Sequence, residues 1–127
     1  MTIHCALVFL ASVCSTAQQP AWQPMFDGTL TQWQNAKYPN QPSVRLNDAT
    51  MVLEPGSPLT GVNWTGEFPK SNYEVRFEAA RLSGNDFFAS LTFPVKDSFC
   101  TFVTGGWGGD IVGLSSIDGW DASDNET

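Results

Sequence analysis

Short runs of alternating apolar and polar residues, separated by glycine, proline, asparagine and aspartate, constrain the fold of this chain more than any other feature. In the clearest run, residues 73–82, the apolar side chains of Tyr73, Val75 and Phe77 alternate with charged ones. A period of two places alternate side chains on opposite faces of a β-strand. No window of the sequence has the 3.6-residue period of an amphipathic helix. The pattern therefore predicts an all-β domain.

Further strands are predicted on both sides of this run. They lie at 43–46, 50–53, 61–64, 87–93, 99–104 and 111–115. Residues 83–86 are predicted to form the turn after the first run, and Pro94 is expected to end the strand that begins at residue 87. The sequence contains neither an internal repeat nor a low-complexity linker. A single β-sandwich or barrel domain is therefore expected.

The first seventeen residues have the composition of a secretory signal peptide. Residues 6–13 are apolar or small, which is too short a run to span a bilayer, and no other stretch approaches that length. Cleavage after Ala17 would leave a mature chain of residues 18–127, secreted or periplasmic. The alternative is a lipoprotein acylated at Cys14, but Val13 stands where that signal requires a small residue.

Removal of this leader leaves a chain with limited chemistry. It has no histidine and one cysteine, Cys100, which lies among aromatic and β-branched residues and is predicted to be buried. A Ser-His-Asp triad, a zinc site and an intrachain disulfide are therefore not expected. Glu74 and Glu78 share a predicted strand face about 13 Å apart, whereas glycosidase carboxylates lie roughly 5 to 10 Å apart. The sequence thus identifies no catalytic residue.

Motifs in two parts of the chain point to a family. The opening segment reads Trp22-Gln-Pro-Met-Phe-Asp-Gly-Thr-Leu-Thr-Gln-Trp33. The central segment contains Asn63-Trp-Thr-Gly-Glu-Phe68, Asn72-Tyr-Glu-Val-Arg-Phe-Glu78 and Gly84-Asn-Asp-Phe-Phe88. Together they resemble the bacterial 3-keto-disaccharide hydrolase family, in a branch of planctomycete type. The resemblance runs over residues 22–127 and implies a concanavalin A-like jelly-roll β-sandwich with a carbohydrate substrate.

The resemblance also implies that the domain continues beyond residue 127 through further, partly basic strands. The charge distribution agrees with this expectation. Residues 1–96 hold seven acidic and six basic side chains, whereas residues 97–127 hold six acidic and no basic ones, for a total of −7. The chain is therefore predicted to be the N-terminal part of a jelly roll, incomplete at its C-terminus and inactive as a fragment.

Two tryptophans and an aspartate are the candidate sugar-binding residues. Trp107 lies within Gly105-Gly-Trp-Gly-Gly109, and an exposed indole can stack on the face of a sugar ring. Alternatively, Trp107 closes one end of the sandwich. Trp120 has the same two interpretations. Asp110 would accept hydrogen bonds from sugar hydroxyls or, alternatively, cap a turn.

A loop near the end of the chain offers carboxylate ligands. They belong to Asp118, Asp121, Asp124 and Glu126. Oxygen ligands at this density suit calcium, although their spacing does not match the helix-loop-helix calcium motif. An ordinary acidic loop is the alternative, so no cofactor is required by the sequence. The net charge of −7, without a basic cluster, argues against nucleic acid as a partner.

Two functions from different classes follow. The resemblance implies an enzyme that cleaves 3-keto-glycosides, in which the keto group acidifies the neighbouring C2 hydrogen and one base drives elimination of the glycosidic oxygen. The alternative is a non-catalytic, lectin-like module that binds glycans or a protein through an aromatic surface, because this fold serves both purposes.

Overall fold

The computed structural model describes residues 21–127, and this part of the chain is all-β, with seven strands and no helix. The strands are β1 (Trp33–Asn35), β2 (Arg45–Asn47), β3 (Thr50–Val52), β4 (Val62–Trp64), β5 (Leu91–Val95), β6 (Ser98–Gly106) and β7 (Ile111–Ser115). The prediction of an all-β fold is confirmed, and the jelly-roll topology stays a prediction. The predicted signal peptide and Cys14 lie outside the described residues.

Each pairing between strands is antiparallel, and the strands form three small sheets. Two of the sheets are pairs, β1 with β4 and β2 with β3, and the third is the meander β5-β6-β7. Strand β7 pairs with β6 from Thr101↔Ser115 to Gly106↔Ile111, with a bulge at 104–106. None of the described residues forms a helix long and apolar enough to cross a membrane.

Pro94 lies inside β5, opposite Phe99 of β6, so the prediction that it ends a strand is wrong. Its carbonyl accepts a hydrogen bond from the Tyr73 hydroxyl, on the side of β5 away from β6. The missing N–H of Pro94 faces the same side, because the N–H and C=O of one residue in an antiparallel strand point the same way. A proline is tolerated there because β5 is an edge strand of the meander.

Residues 73–82 form no strand, although their alternation was the clearest in the sequence. The chain does approach β5, because the Lys96 N–H donates to the Lys70 carbonyl over 2.8 Å. At Pro94, however, the edge of β5 offers no donor, and its carbonyl is taken by a side chain. The edge therefore lacks one ladder hydrogen bond at that point. Phe77, in the segment that forms no strand, is 52% exposed.

The opening motif has a structural role. Asp27 accepts hydrogen bonds from the N–H and the hydroxyl of Thr29, which close a turn and lower the pKa of Asp27. The chain then enters β1, a strand that the sequence pattern did not predict. There Trp33 pairs with Trp64 across the sheet, with ring centroids 5.2 Å apart in an edge-to-face arrangement. The indole N–H of Trp33 donates to the Met25 carbonyl over 2.9 Å.

The buried core of the described residues is small and lies against β6 and β7. Its buried side chains are Cys100, Val103, Ser115 and Ala122. The Ser115 hydroxyl accepts the N–H of Ala122, and the Cys100 thiol donates to the Ser115 carbonyl over 3.1 Å. The C-terminal turn is thereby fixed against β7. The prediction that Cys100 is a buried apolar thiol is confirmed.

Candidate functional site

The glycine-rich loop between β6 and β7 presents Trp107 at the surface. The loop turns tightly, since the Gly109 N–H donates to the Gly106 carbonyl over 3.1 Å. Trp107 has a φ of 49°, in the left-handed region that side chains other than glycine seldom adopt. Its side chain is 41% exposed. The indole is therefore available to a ligand while its backbone is held in a strained turn.

Two of the glycines are needed because a second turn packs on this loop. A β-carbon on Gly106 would lie 2.9 Å from the ring of Phe87, and one on Gly109 would lie 2.5 Å from the Asn85 carbonyl oxygen. Both distances are too short for a non-bonded contact. The absence of side chains at these positions lets the turn at 83–87 lie directly against the loop.

Trp107 and Phe87 form the aromatic platform of this site. Their ring centroids are 5.0 Å apart and their planes are inclined by 54°. Phe87 is 39% exposed, so each ring packs on the other and remains partly open. Trp107 thus packs locally and also offers an exposed ring surface, and its role in sugar binding stays a prediction. Aromatic pairs of this geometry add about 0.5 to 1.5 kcal/mol beyond their buried area.

Asp86 joins the two parts of the platform. One carboxylate oxygen, Oδ1, accepts hydrogen bonds from the Phe87 N–H at 2.9 Å and from the Gly108 N–H at 3.0 Å. The Gly108 N–H, then the Phe87 N–H and the charge of Arg81 lower the pKa of Asp86. Asp86 is therefore held as a carboxylate that bridges segments 22 residues apart.

Arg81 supports the same turn from its other side. Its Nη1 donates to the Asp86 carbonyl over 2.9 Å, and its guanidinium lies 4.9 Å from the centroid of the Phe88 ring. A cation over an aromatic face at this distance is attracted to the ring. Arg81, Asp86 and the platform therefore form one connected surface cluster at the end of β6.

The other two predicted sugar-binding residues have different positions. Asp110 is exposed and lies in the same loop as Trp107. Trp120 is 61% exposed and forms an isolated bridge with Ile117, beyond the far end of β7. The 5 residues of β7 separate the two tryptophans, a distance of about 13 Å along the strand. Asp110 therefore lies in the loop that carries Trp107, whereas Trp120 lies beyond the other end of β7.

The predicted calcium ligands are exposed and do not gather into a site. They are Asp118, Asp121, Asp124 and Glu126. The backbone of this loop forms a turn, in which the Asp121 carbonyl accepts the N–H groups of Asp124 and Asn125. Among residues 21–127, no three His, Cys, Asp or Glu side chains are placed to hold a metal ion. Calcium binding and an ordinary acidic loop both stay predictions.

Sequence reasoning did not identify Phe87, Asp86 or Arg81 as site residues. It placed Asp86 in a turn and Phe87 in a strand, which are local descriptions. Phe87 packs on Trp107 and Asp86 accepts the Gly108 N–H, and single-sequence periodicity does not report contacts over such separations. Arg81 joins the cluster only through its contacts with Asp86 and Phe88. The glycine run was the available signal, because paired glycines often mark a place where another backbone approaches.

Comparisons with models of protein families, with curated proteins and with solved structures find no match to this chain. The resemblance to 3-keto-disaccharide hydrolases therefore stays a prediction from its motifs. The surface around Trp107 is the candidate binding site.

Proposed function

We propose that this domain is an exported glycan-binding module that holds neutral sugars on the aromatic platform. The observation that carries the proposal is the pair of inclined, half-exposed rings of Trp107 and Phe87. The C–H faces of a pyranose are apolar, and they stack on aromatic rings exposed in this manner. The inclination of 54° gives the platform two surfaces that meet at an angle, which suits adjacent sugar rings better than one flat base.

The electrostatics of the region favour a neutral glycan. Residues 97–127, which include Trp107, carry six acidic side chains and no basic one. Arg81, the cation of this cluster, is already engaged with the Asp86 carbonyl and the Phe88 ring. An anionic polysaccharide would therefore meet net repulsion. The exposed carboxylate of Asp110 supplies an acceptor for neutral sugar hydroxyls.

The same geometry favours binding over cleavage. A general base for elimination from a 3-keto-glycoside works best with a pKa near the working pH. The pKa of Asp86, the carboxylate joined to the platform, is lowered by two backbone N–H groups, which makes it a weaker base. Glu74 and Glu78 are both exposed, on a segment that forms no strand. Hydrolase activity is therefore implied by the sequence resemblance alone.

The binding proposal is tested by native electrophoresis through gels that contain soluble neutral polysaccharides, such as mixed-linkage β-glucan, xylan and glucomannan, with alginate and pectin as acidic counterparts. We expect at least one neutral polymer to retard the protein and the acidic ones not to. Trp107→Ala should abolish the retardation. Trp22→Ala, which removes an indole that is 60% exposed, is the matched control and should leave it unchanged.

Two outcomes would contradict this function. The first is that no neutral polymer retards the protein, and the second is that Trp22→Ala and Trp107→Ala have equal effects. A parallel incubation with a 3-keto-disaccharide, followed by chromatography of the products, addresses the enzyme. Turnover of the 3-keto-disaccharide by the wild type would contradict a purely binding function, and its loss in Trp107→Ala would assign the platform to the enzyme.

A further inference from the structure

We propose that Asp86 is the positioning residue of the aromatic platform, setting the placement of both rings through one carboxylate oxygen. The inference deepens the proposed function, on which its consequence for glycan affinity rests. The placement of the rings is a separate statement about the chain itself. It can therefore be tested without any ligand.

Asp86 connects the two segments that carry the rings. The N–H groups that Oδ1 accepts belong to Phe87, which carries one ring, and to Gly108, which directly follows the residue that carries the other. A single atom thus joins the backbones of both ring-bearing segments. A shift of this atom changes both attachments together.

The Asp86 carboxylate is a strong hydrogen-bond acceptor. Hydrogen bonds from backbone N–H groups to an ionised carboxylate are shorter and stronger than those to a neutral oxygen. The positive φ of Trp107 disfavours the observed loop conformation in isolation. An added charged bond at Gly108 offsets that preference. The glycines on either side contribute no side-chain contacts of their own to the loop.

The surroundings of Asp86 favour its charged form. Arg81 is the charged group that lies against Asp86, on its carbonyl side, and it lowers the pKa in the same direction as the two N–H groups. Because the folded pKa is below the ordinary value of 3.8, the contribution of the bridge is present above that pH. It is lost as the pH falls through the folded pKa.

Nuclear magnetic resonance of the full chain, labelled with ¹⁵N, tests the positioning role. The compared proteins are the wild type, Asp86→Ala, Asp86→Asn and Asp97→Ala, in which the last removes an equally exposed carboxylate from the turn between β5 and β6. In the wild type, the amide protons of Phe87 and Gly108 should shift together as the pH falls, with one midpoint below about 3.8. In Asp86→Asn, which retains an acceptor oxygen but does not titrate, these shifts should be absent.

The indole N–H of Trp107 supplies the second readout. Its resonance should move or broaden in Asp86→Ala, move less in Asp86→Asn, and keep its wild-type position in Asp97→Ala. A Gly108 amide that titrates in the same way in Asp86→Asn would overturn the proposal. An unchanged Trp107 indole resonance in Asp86→Ala would also overturn it.

Glycan affinity is then measured with soluble mixed-linkage β-glucan, xylan and glucomannan as the probes. Asp86→Ala should weaken the affinity for the polymer that the wild type binds roughly tenfold, the effect of losing one or two hydrogen bonds, and Asp86→Asn should restore part of it. If the wild type binds none of the three probes while the amide shifts appear as expected, the proposed function fails and the positioning role stands. Wild-type binding that Asp86→Ala leaves unchanged would contradict the positioning role.

Discussion

At the scale of single residues, burial separates side chains of the same type into opposite roles. Val103 in β6 is 2% exposed, whereas Val112 in the adjacent strand β7 is 60% exposed. They lie close together in the same meander, because Thr104, the residue after Val103, pairs with Val112. Because free energy from apolar burial scales with the area removed from water, Val103 contributes to stability and Val112 contributes little.

This difference predicts the result of a matched pair of substitutions. Val103→Ala should lower the free energy of unfolding by about 2 kcal/mol, because it removes buried methyl groups and leaves a cavity. Val112→Ala should change it by less than about 0.5 kcal/mol. Urea denaturation followed by circular dichroism measures both. Equal losses in the two variants would mean that β7 has a covered outer face and that the described burial is wrong.

At the scale of elements, the sequence pattern located most of the strands but not their partners. Residues 111–115 were predicted with their observed bounds, because this apolar run follows the glycine-rich turn and pairs with β6 across a short loop. Residues 73–82 alternate clearly and yet form no strand, and the edge of β5 that they approach carries Pro94, twelve positions beyond the run. Periodicity reports which face a side chain would take. It does not report whether a neighbouring edge has free donors.

The same distinction applies to the candidate site: the sequence indicated its local features but not its contacts between distant segments. The glycine run and Trp107 were visible in the sequence because their significance is local, a sharp turn and an exposed ring. Asp86 was not visible, since its role depends on the N–H of Gly108 in another segment. Trp120 was proposed on equal terms with Trp107, and the length of β7 then set them apart.

The hydrogen bond between the Tyr73 hydroxyl and the Pro94 carbonyl gives an element-scale prediction. Tyr73→Phe leaves this edge carbonyl without its partner and should destabilise the domain by about 1 kcal/mol. Burial raises the pKa of Tyr73, so its contribution to stability is present below the ordinary tyrosine pKa and is lost as the pH rises through the folded value. The variant should therefore lose less stability at alkaline pH than the wild type.

Tyr38→Phe is the matched control, because Tyr38 is 41% exposed. Thermal unfolding at neutral and alkaline pH should separate the two variants, with Tyr38→Phe following the wild type. If Tyr73→Phe proves neutral, Pro94 alone accounts for the missing ladder at this edge.

At the scale of the whole molecule, apolar exposure and charge are both uneven. Large apolar side chains with more than half of their area exposed include Phe77, Leu82, Phe99 and Val112. Exposed apolar groups of this number weaken the hydrophobic contribution to folding. The acidic side chains of residues 97–127 repel one another without any basic residue among them. Stability should therefore respond strongly to ions in solution.

Melting temperatures in sodium chloride, magnesium chloride and calcium chloride at matched ionic strength separate general screening from a specific site. At about 0.1 M salt, charges are screened beyond roughly 10 Å, so each salt should raise Tm relative to dilute buffer. The two divalent salts should have equal effects, because no carboxylate cluster within residues 21–127 is placed to hold an ion. An additional rise in calcium alone, lost in Asp121→Asn and Asp124→Asn, would show that the acidic loop closes around the ion.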